Sequence, residues 1–84
     1  MKIIYSSDIA MGLCGQEEEE IDAKDASSLD GALRKIYEIH PALKKEIDDG
    51  DILVFHNGEA AVDAVGREVK DSDTIEFAPV ILGG

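Results

Sequence analysis

The sequence is poor in the features that hold a small domain together covalently or that line a deep active site. One cysteine in 84 residues excludes a disulfide within the chain. There is no tryptophan, and two phenylalanines and two tyrosines leave Ile, Leu, Val and Ala to build the core. A domain of this length is marginal in buried area. A single exposed working feature is therefore expected rather than an enclosed pocket. Basic residues are also scarce, with 8 Lys and Arg against 19 Asp and Glu and a net charge of −11. That argues against nucleic acid, where attraction of phosphate to Lys and Arg dominates affinity, and against anionic membranes. The acidity has two readings, simple solvation of the surface or fast encounter with a basic protein surface. The longest apolar runs, Ile52–Phe55 and Ala78–Leu82, fall far short of the roughly 20 residues that span a bilayer. Residues 1–16 lack the basic start and long apolar stretch of a signal peptide, so a cytoplasmic location is expected. No G-x-x-x-x-G-K-[ST] loop is present, so the chain is not expected to bind ATP itself.

What is present reads as one domain over residues 1–84, without repeats or linkers. Met1–Ser6 predicts a strand, rich in β-branched and aromatic residues. Ser7 or Asp8 caps a short helix through Leu13, ended by Gly15. Gln16–Ala23 predicts a second, very acidic strand, whose Glu17–Glu20 run either protects a sheet edge or solvates a hairpin arm. Ser27 or Ser28 caps the main helix, with Asp30 in its first turn. Leu29, Ala32, Leu33, Ile36, His40 and Leu43 form its apolar stripe. Pro41 breaks that helix near His40 and starts a short further turn to Ile47. Asp48-Asp49-Gly50-Asp51 is a turn, Ile52–Phe55 a buried strand, and Asn57-Gly58 a tight hairpin turn. Glu59–Val62 returns, and Val65–Val69 is irregular or a short strand. Asp71-Ser72-Asp73 turns into a last strand, Thr74–Phe77, and Pro79 ends regular pairing. Helices on one face of a mixed sheet, an α+β architecture, fit this order.

The end of the sequence carries the chemistry. Residues 78–84 read as an extended tail ending in Gly83-Gly84. Two glycines have no side chain to collide with the walls of a narrow channel. The five residues Val80–Gly84 reach roughly 17 Å when extended, enough to place a terminal carboxylate deep inside another protein. A free carboxylate resists nucleophiles and must first be activated. With no ATP site in the chain, a separate enzyme would supply that activation.

Four segments, in order, resemble the MoaD/ThiS family of sulfur carriers. Leu33–Tyr37 with His40-Pro41-Ala42-Leu43 and Glu46 is similar to the family's helix and "YPELREEL" segment. Val54-Phe55-His56-Asn57-Gly58-Glu59 resembles "VFVNGE", and Val69-Lys70-Asp71-Ser72-Asp73-Thr74-Ile75 resembles "LKDGDEV". Phe77-Ala78-Pro79-Val80 followed by Gly83-Gly84 resembles "FPPVxGG". Ala78 stands where that motif has its first proline, and Ile81-Leu82 fills its one-residue gap. The resemblance implies a ubiquitin-like β-grasp fold, with four to five strands packed on one main helix and a flexible Gly-Gly tail. It implies a carrier rather than an enzyme, with no bound cofactor. An ATP-dependent activating enzyme would adenylate Gly84, a persulfide would convert the adenylate to a thiocarboxylate, and a biosynthetic enzyme would accept the sulfur. Gly83, Leu82, Ile81, Val80, Pro79 and Phe77 would bind the partner. The lead-in to the glycines and the helix before Gly15 are closer to the MoaD branch, where the partner is the large subunit of molybdopterin synthase. Carriers for thiazole, cysteine or tRNA thiolation, a lysine-conjugated modifier, and a β-grasp interaction module remain as alternatives.

The other reactive side chains read as structural. Cys14 has no neighbouring Lys, Arg or His in sequence to lower its pKa and is expected to be a buried small apolar residue. His40 and His56 lack converging partners for a metal. They are expected to be a helix-end residue touching the core and a hairpin residue. Asp48–Asp51 lacks the alternating ligands of a calcium loop.

Overall fold

The computed structural model describes residues 1–22, 28–61 and 67–80. Its elements run β1 (Lys2–Tyr5), α1 (Asp8–Cys14), β2 (Glu18–Glu20), α2 (Leu29–Ile39), α3 (Pro41–Asp48), β3 (Ile52–His56), β4 (Glu59–Ala60) and β5 (Thr74–Pro79). The strands form one mixed sheet in the order β2-β1-β5-β3-β4. The first and last strands lie side by side and parallel, Lys2 to Thr74 through Tyr5 to Phe77. The other pairings are antiparallel. This is the ubiquitin-like β-grasp.

Local chemistry sets each boundary. Ser7 caps α1 by accepting from the Ala10 amide, and Gly15 closes it in the left-handed region at φ 70°, where glycine carries no Cβ penalty. Ser28 caps α2 by accepting from the Gly31 amide. Pro41 sits in the first turn of α3, where its missing N–H costs nothing. Asn57 and Gly58 both have positive φ, 51° and 83°, the pair a tight hairpin turn demands. The turn is tied to β5, because the Asn57 amide donates to the Thr74 carbonyl and the Thr74 amide donates to Asn57 Oδ1, each at 2.9 Å.

The core lies between the sheet and the helices. Ile3, Tyr5, Ile52, Ile75 and Phe77 come from the strands, Leu29, Ala32, Leu33 and Ile36 from α2, and Leu43 from α3. Tyr5 and Phe77, register partners on β1 and β5, stack with ring centroids 5.6 Å apart.

Four expectations are corrected. The second strand is three residues long, because only Glu18–Glu20 pair with β1; as an edge strand it places the glutamate run where charge blocks further pairing. The third strand is not buried throughout. Ile52 and His56 are buried while Leu53 is exposed, the alternation of a strand with one covered face. β5 continues two residues past Phe77, pairing Ala78 with Leu53 and Pro79 with Ile52. Proline is tolerated there because β1 has already ended and only β3 flanks it. The return strand is only Glu59–Ala60. Ser27, Val62 and Val65 lie outside the described residues, and Glu68 makes an isolated bridge with Ser28.

Candidate tail-exit site

β5 delivers the chain to one end of the sheet. There the expected tail is two residues shorter at its start, since Ala78 and Pro79 belong to the strand and Val80 follows, half-buried. Ile81, Leu82, Gly83 and Gly84, four of the expected site residues, lie outside the described residues. Phe77, expected among the partner-binding residues, is placed in the core. Its side chain is wholly buried, and its carbonyl accepts from the amides of Ser6 and Ser7, each at 3.0 Å. Phe77 instead anchors the base of the tail. Of the expected residues, Pro79 is exposed and Val80 half-exposed, and both remain available to another molecule.

The strands β1 and β5 are parallel, so the end of β1, the start of α1 and the tail base share one end of the sheet. The start of β3 lies there too, through the pairing of Ile52 with Pro79. So does the α2–α3 junction, where the His40 ring meets the edge of Tyr5 at 5.8 Å. Among the described residues, four large apolar side chains are exposed: Ile9, Leu13, Ile39 and Leu53. They lie on α1 (Ile9 and Leu13), α2 (Ile39) and β3 (Leu53). Scattered exposed apolar residues need no explanation; Ile9 and Leu13, one turn apart on α1, are the pair that share a face. Nothing in composition or period singled out these four, because an isolated apolar residue on a short helix or strand reads as core.

Acidic groups border this end. Glu46 of α3 and Asp49 and Asp51 of the following turn bring carboxylate oxygens within 4.8 Å of one another. A hydrogen bond with Asp51, partial burial and the like charge of Asp51 push the Glu46 carboxyl up. Lys45 counters part of this charge through Asp49 at 2.8 Å.

Behind the tail base lies a polar cluster that sequence reasoning missed. The Tyr5 hydroxyl donates to Glu19 Oε1, and His40 Nε2 lies 2.7 Å from the same oxygen. Burial alone would raise the Glu19 carboxyl, but the hydrogen bonds from Tyr5 and His40 hold it below the usual range. Burial and the Glu19 hydrogen bond push the Tyr5 phenol up, and burial pushes the Cys14 thiol up. Cys14 is half-buried against the core, a poorly nucleophilic thiol. The cluster ties edge strand β2 to the α2–α3 junction. The register signal was present, since Glu19 pairs with Ile3 and so shares the inner face with it. A charge run masks one inward carboxylate among outward ones.

His56 and Asp73 form a second missed pair, both buried, with Nε2 and Oδ2 2.8 Å apart. A groove of about 370 Å³ on the outer side of α2, lined by Leu33, Arg34, Tyr37 and Lys44 among others, is open. It holds no nucleophile beside a base. Burial raises the Tyr37 phenol to about 12, so it stays neutral. Among the described residues no group of side chains at the tail base is arranged to activate a carboxylate. No helix among the described residues is long and apolar enough to cross a membrane.

No protein-family profile and no curated protein matches this sequence. Solved structures do. SAMP1 of Haloferax volcanii is 29% identical with a TM-score of 0.74, covering 100% of this chain and 98% of that one. A putative molybdopterin converting factor subunit 1 of Pyrococcus furiosus is 23% identical with a TM-score of 0.74, covering 95% of each chain. Subunit 1 or 2 in a complex of the two subunits of molybdopterin-converting factor from Helicobacter pylori matches at 24% identity and a TM-score of 0.65, covering 99% of this chain and 96% of that one. The chain thus resembles ubiquitin-like proteins of the MoaD/ThiS type, and these neighbours support a small carrier or modifier.

Proposed function

We propose that this β-grasp chain is a sulfur carrier whose working atom is in the carboxylate of Gly84. A separate activating enzyme would catalyse attack of that carboxylate on the α-phosphorus of ATP, releasing pyrophosphate. The terminal sulfur of a persulfide would displace AMP from the adenylate. A second thiol would then cleave the acyl disulfide and leave a thiocarboxylate. The acceptor we favour is a molybdopterin precursor, delivered to a synthase large subunit, in the cytoplasm where ATP is at hand. The complex of converting-factor subunits among the neighbours supports that choice of partner. The carrying observation is the tail base. Phe77 is locked in the core while Pro79 is exposed and Val80 half-buried, so a rigid body leads into the sequence that ends in Gly83-Gly84.

The test is incubation with the activating enzyme, ATP and a persulfide donor, read by intact-protein mass. Exchange of one oxygen for sulfur is expected, and deletion of Gly84 should abolish it while thermal melting stays unchanged. An unchanged mass with an enzyme that charges its other carriers rejects the reading. A second reading is favoured by the match to small archaeal modifier protein 1, 28% identical over 96% of this chain. The activated Gly84 would then form an isopeptide bond with a lysine. Conjugates of high mass that vanish when Gly84 is deleted distinguish it.

A further inference from the structure

Helix α1 turns its two faces to different uses. Ala10 is fully buried and Met11 and Cys14 pack against the core. On the other side Ile9 and Leu13, one helical turn apart, are 44% and 42% exposed. Gly12 lies between them, exposed, inside the helix. Glycine weakens a helix interior relative to alanine, and two ordinary reasons for keeping one are absent here. Its φ is not in the left-handed region, and a Cβ built on it meets nothing within 4 Å. The fold gains nothing from this glycine. What it does provide is bare backbone between two apolar side chains, where another molecule can approach closely. The chain is strongly acidic, with a net charge of −11, and from Ser6 to Glu20 it has five acidic side chains and no Lys or Arg. The helix also stands beside the tail base, because the amides of Ser6 and its own cap, Ser7, bind the Phe77 carbonyl.

We propose that Ile9, Gly12 and Leu13 form a docking ridge for the enzyme that charges the tail, received by an apolar cleft bordered by Lys and Arg. This rests on the sulfur-carrier reading. The ridge is continuous with the tail exit, so one partner surface meets both. The acidity of the chain selects a basic rim and speeds encounter. The ridge holds the body while the tail reaches the reacting centre, so its loss weakens binding and leaves the chemical step intact.

The test is pyrophosphate exchange by the activating enzyme purified from the native host, with the full chain as substrate. Ile9→Asp and Leu13→Asp should each raise KM for the carrier about tenfold or more, as loss of an anchor does, with kcat within about twofold of wild type. Circular dichroism checks that they fold. Gly12→Ala guards against misfolding as the explanation. It should raise Tm by about 2–8 °C and still raise KM. A chain lacking Gly83 and Gly84 should compete with wild type, and Leu13→Asp in that background should weaken the competition about tenfold. An active wild type with unchanged KM in all three variants overturns the ridge alone. Loss of kcat at unchanged KM also overturns it, as does self-association of wild type that Leu13→Asp abolishes. A wild type that the enzyme does not charge overturns the sulfur-carrier reading and the ridge together.

Discussion

Removing the carboxylate of Asp73 tests whether a buried histidine–carboxylate hydrogen bond braces the end of the sheet opposite the tail. Asp73 accepts from His56 Nε2 at 2.8 Å and from the Lys70 amide at 3.0 Å. These bonds, the histidine's first, bring its carboxyl down to about 2. A carboxyl held there, against ~3.9 in an unfolded chain, contributes at most about 2.5 kcal/mol. Solvent near its open side lowers this to about 1–2 kcal/mol. Asp73→Ala also leaves His56 buried without its acceptor, which costs about 1 kcal/mol more. The expected loss at pH 7 is therefore about 2–3 kcal/mol. The folded-state pKa is depressed, so the ionic contribution is fully present above about pH 4 and is lost as pH falls toward 2. Urea unfolding of wild type and Asp73→Ala at pH 7 and at pH 2.5 gives both differences. The gap should shrink by about 1 kcal/mol or more at the lower pH. A gap of the same size at both pH values would falsify the assignment of an ionised carboxylate to this brace.

Three further outcomes follow from the same structure. Phe77→Ala should cost about 3–5 kcal/mol by denaturant unfolding, and a loss under about 1 kcal/mol would contradict its place against Tyr5. Gly58→Ala, at φ 83°, should cost about 1–2 kcal/mol, and thermal melting at wild-type temperature would mean the hairpin turn has another form. Cys14 should react with iodoacetamide at pH 7.5 more slowly than a free cysteine, because burial raises its thiol pKa; labelling at the free rate, followed by mass, would show the thiol unburied.

Much of this architecture was legible before any coordinates. Caps, breakers and turns are local chemistry, so Ser7, Ser28, Pro41 and Asn57-Gly58 mark their elements at or near the observed positions. The apolar stripe of α2 identified its buried face because a helix repeats its environment. Strand length and pairing are not local. That β5 reaches Pro79 depends on β3 lying alongside, and that Glu19 turns inward depends on the register with β1. The exposure of four apolar side chains escaped notice for the same reason. Whether Ile9, Leu13, Ile39 and Leu53 are covered depends on how α1, α2 and β3 pack in the folded chain. Their exposure is a property of that packing, and the tail was read from its glycines together with the resemblance of the segment that leads to them.

The position of β5 in the middle of the sheet has a mechanical consequence. The strand is bonded along both sides, to β1 from Thr74 to Phe77 and to β3 from Ile75 to Pro79. A tug applied at Val80 is therefore carried as shear by two ladders at once rather than unzipping them one rung at a time. Central strands of this kind open only near global unfolding. A partner can haul on the end, twist it or drop it, and the body behaves as a stiff handle throughout.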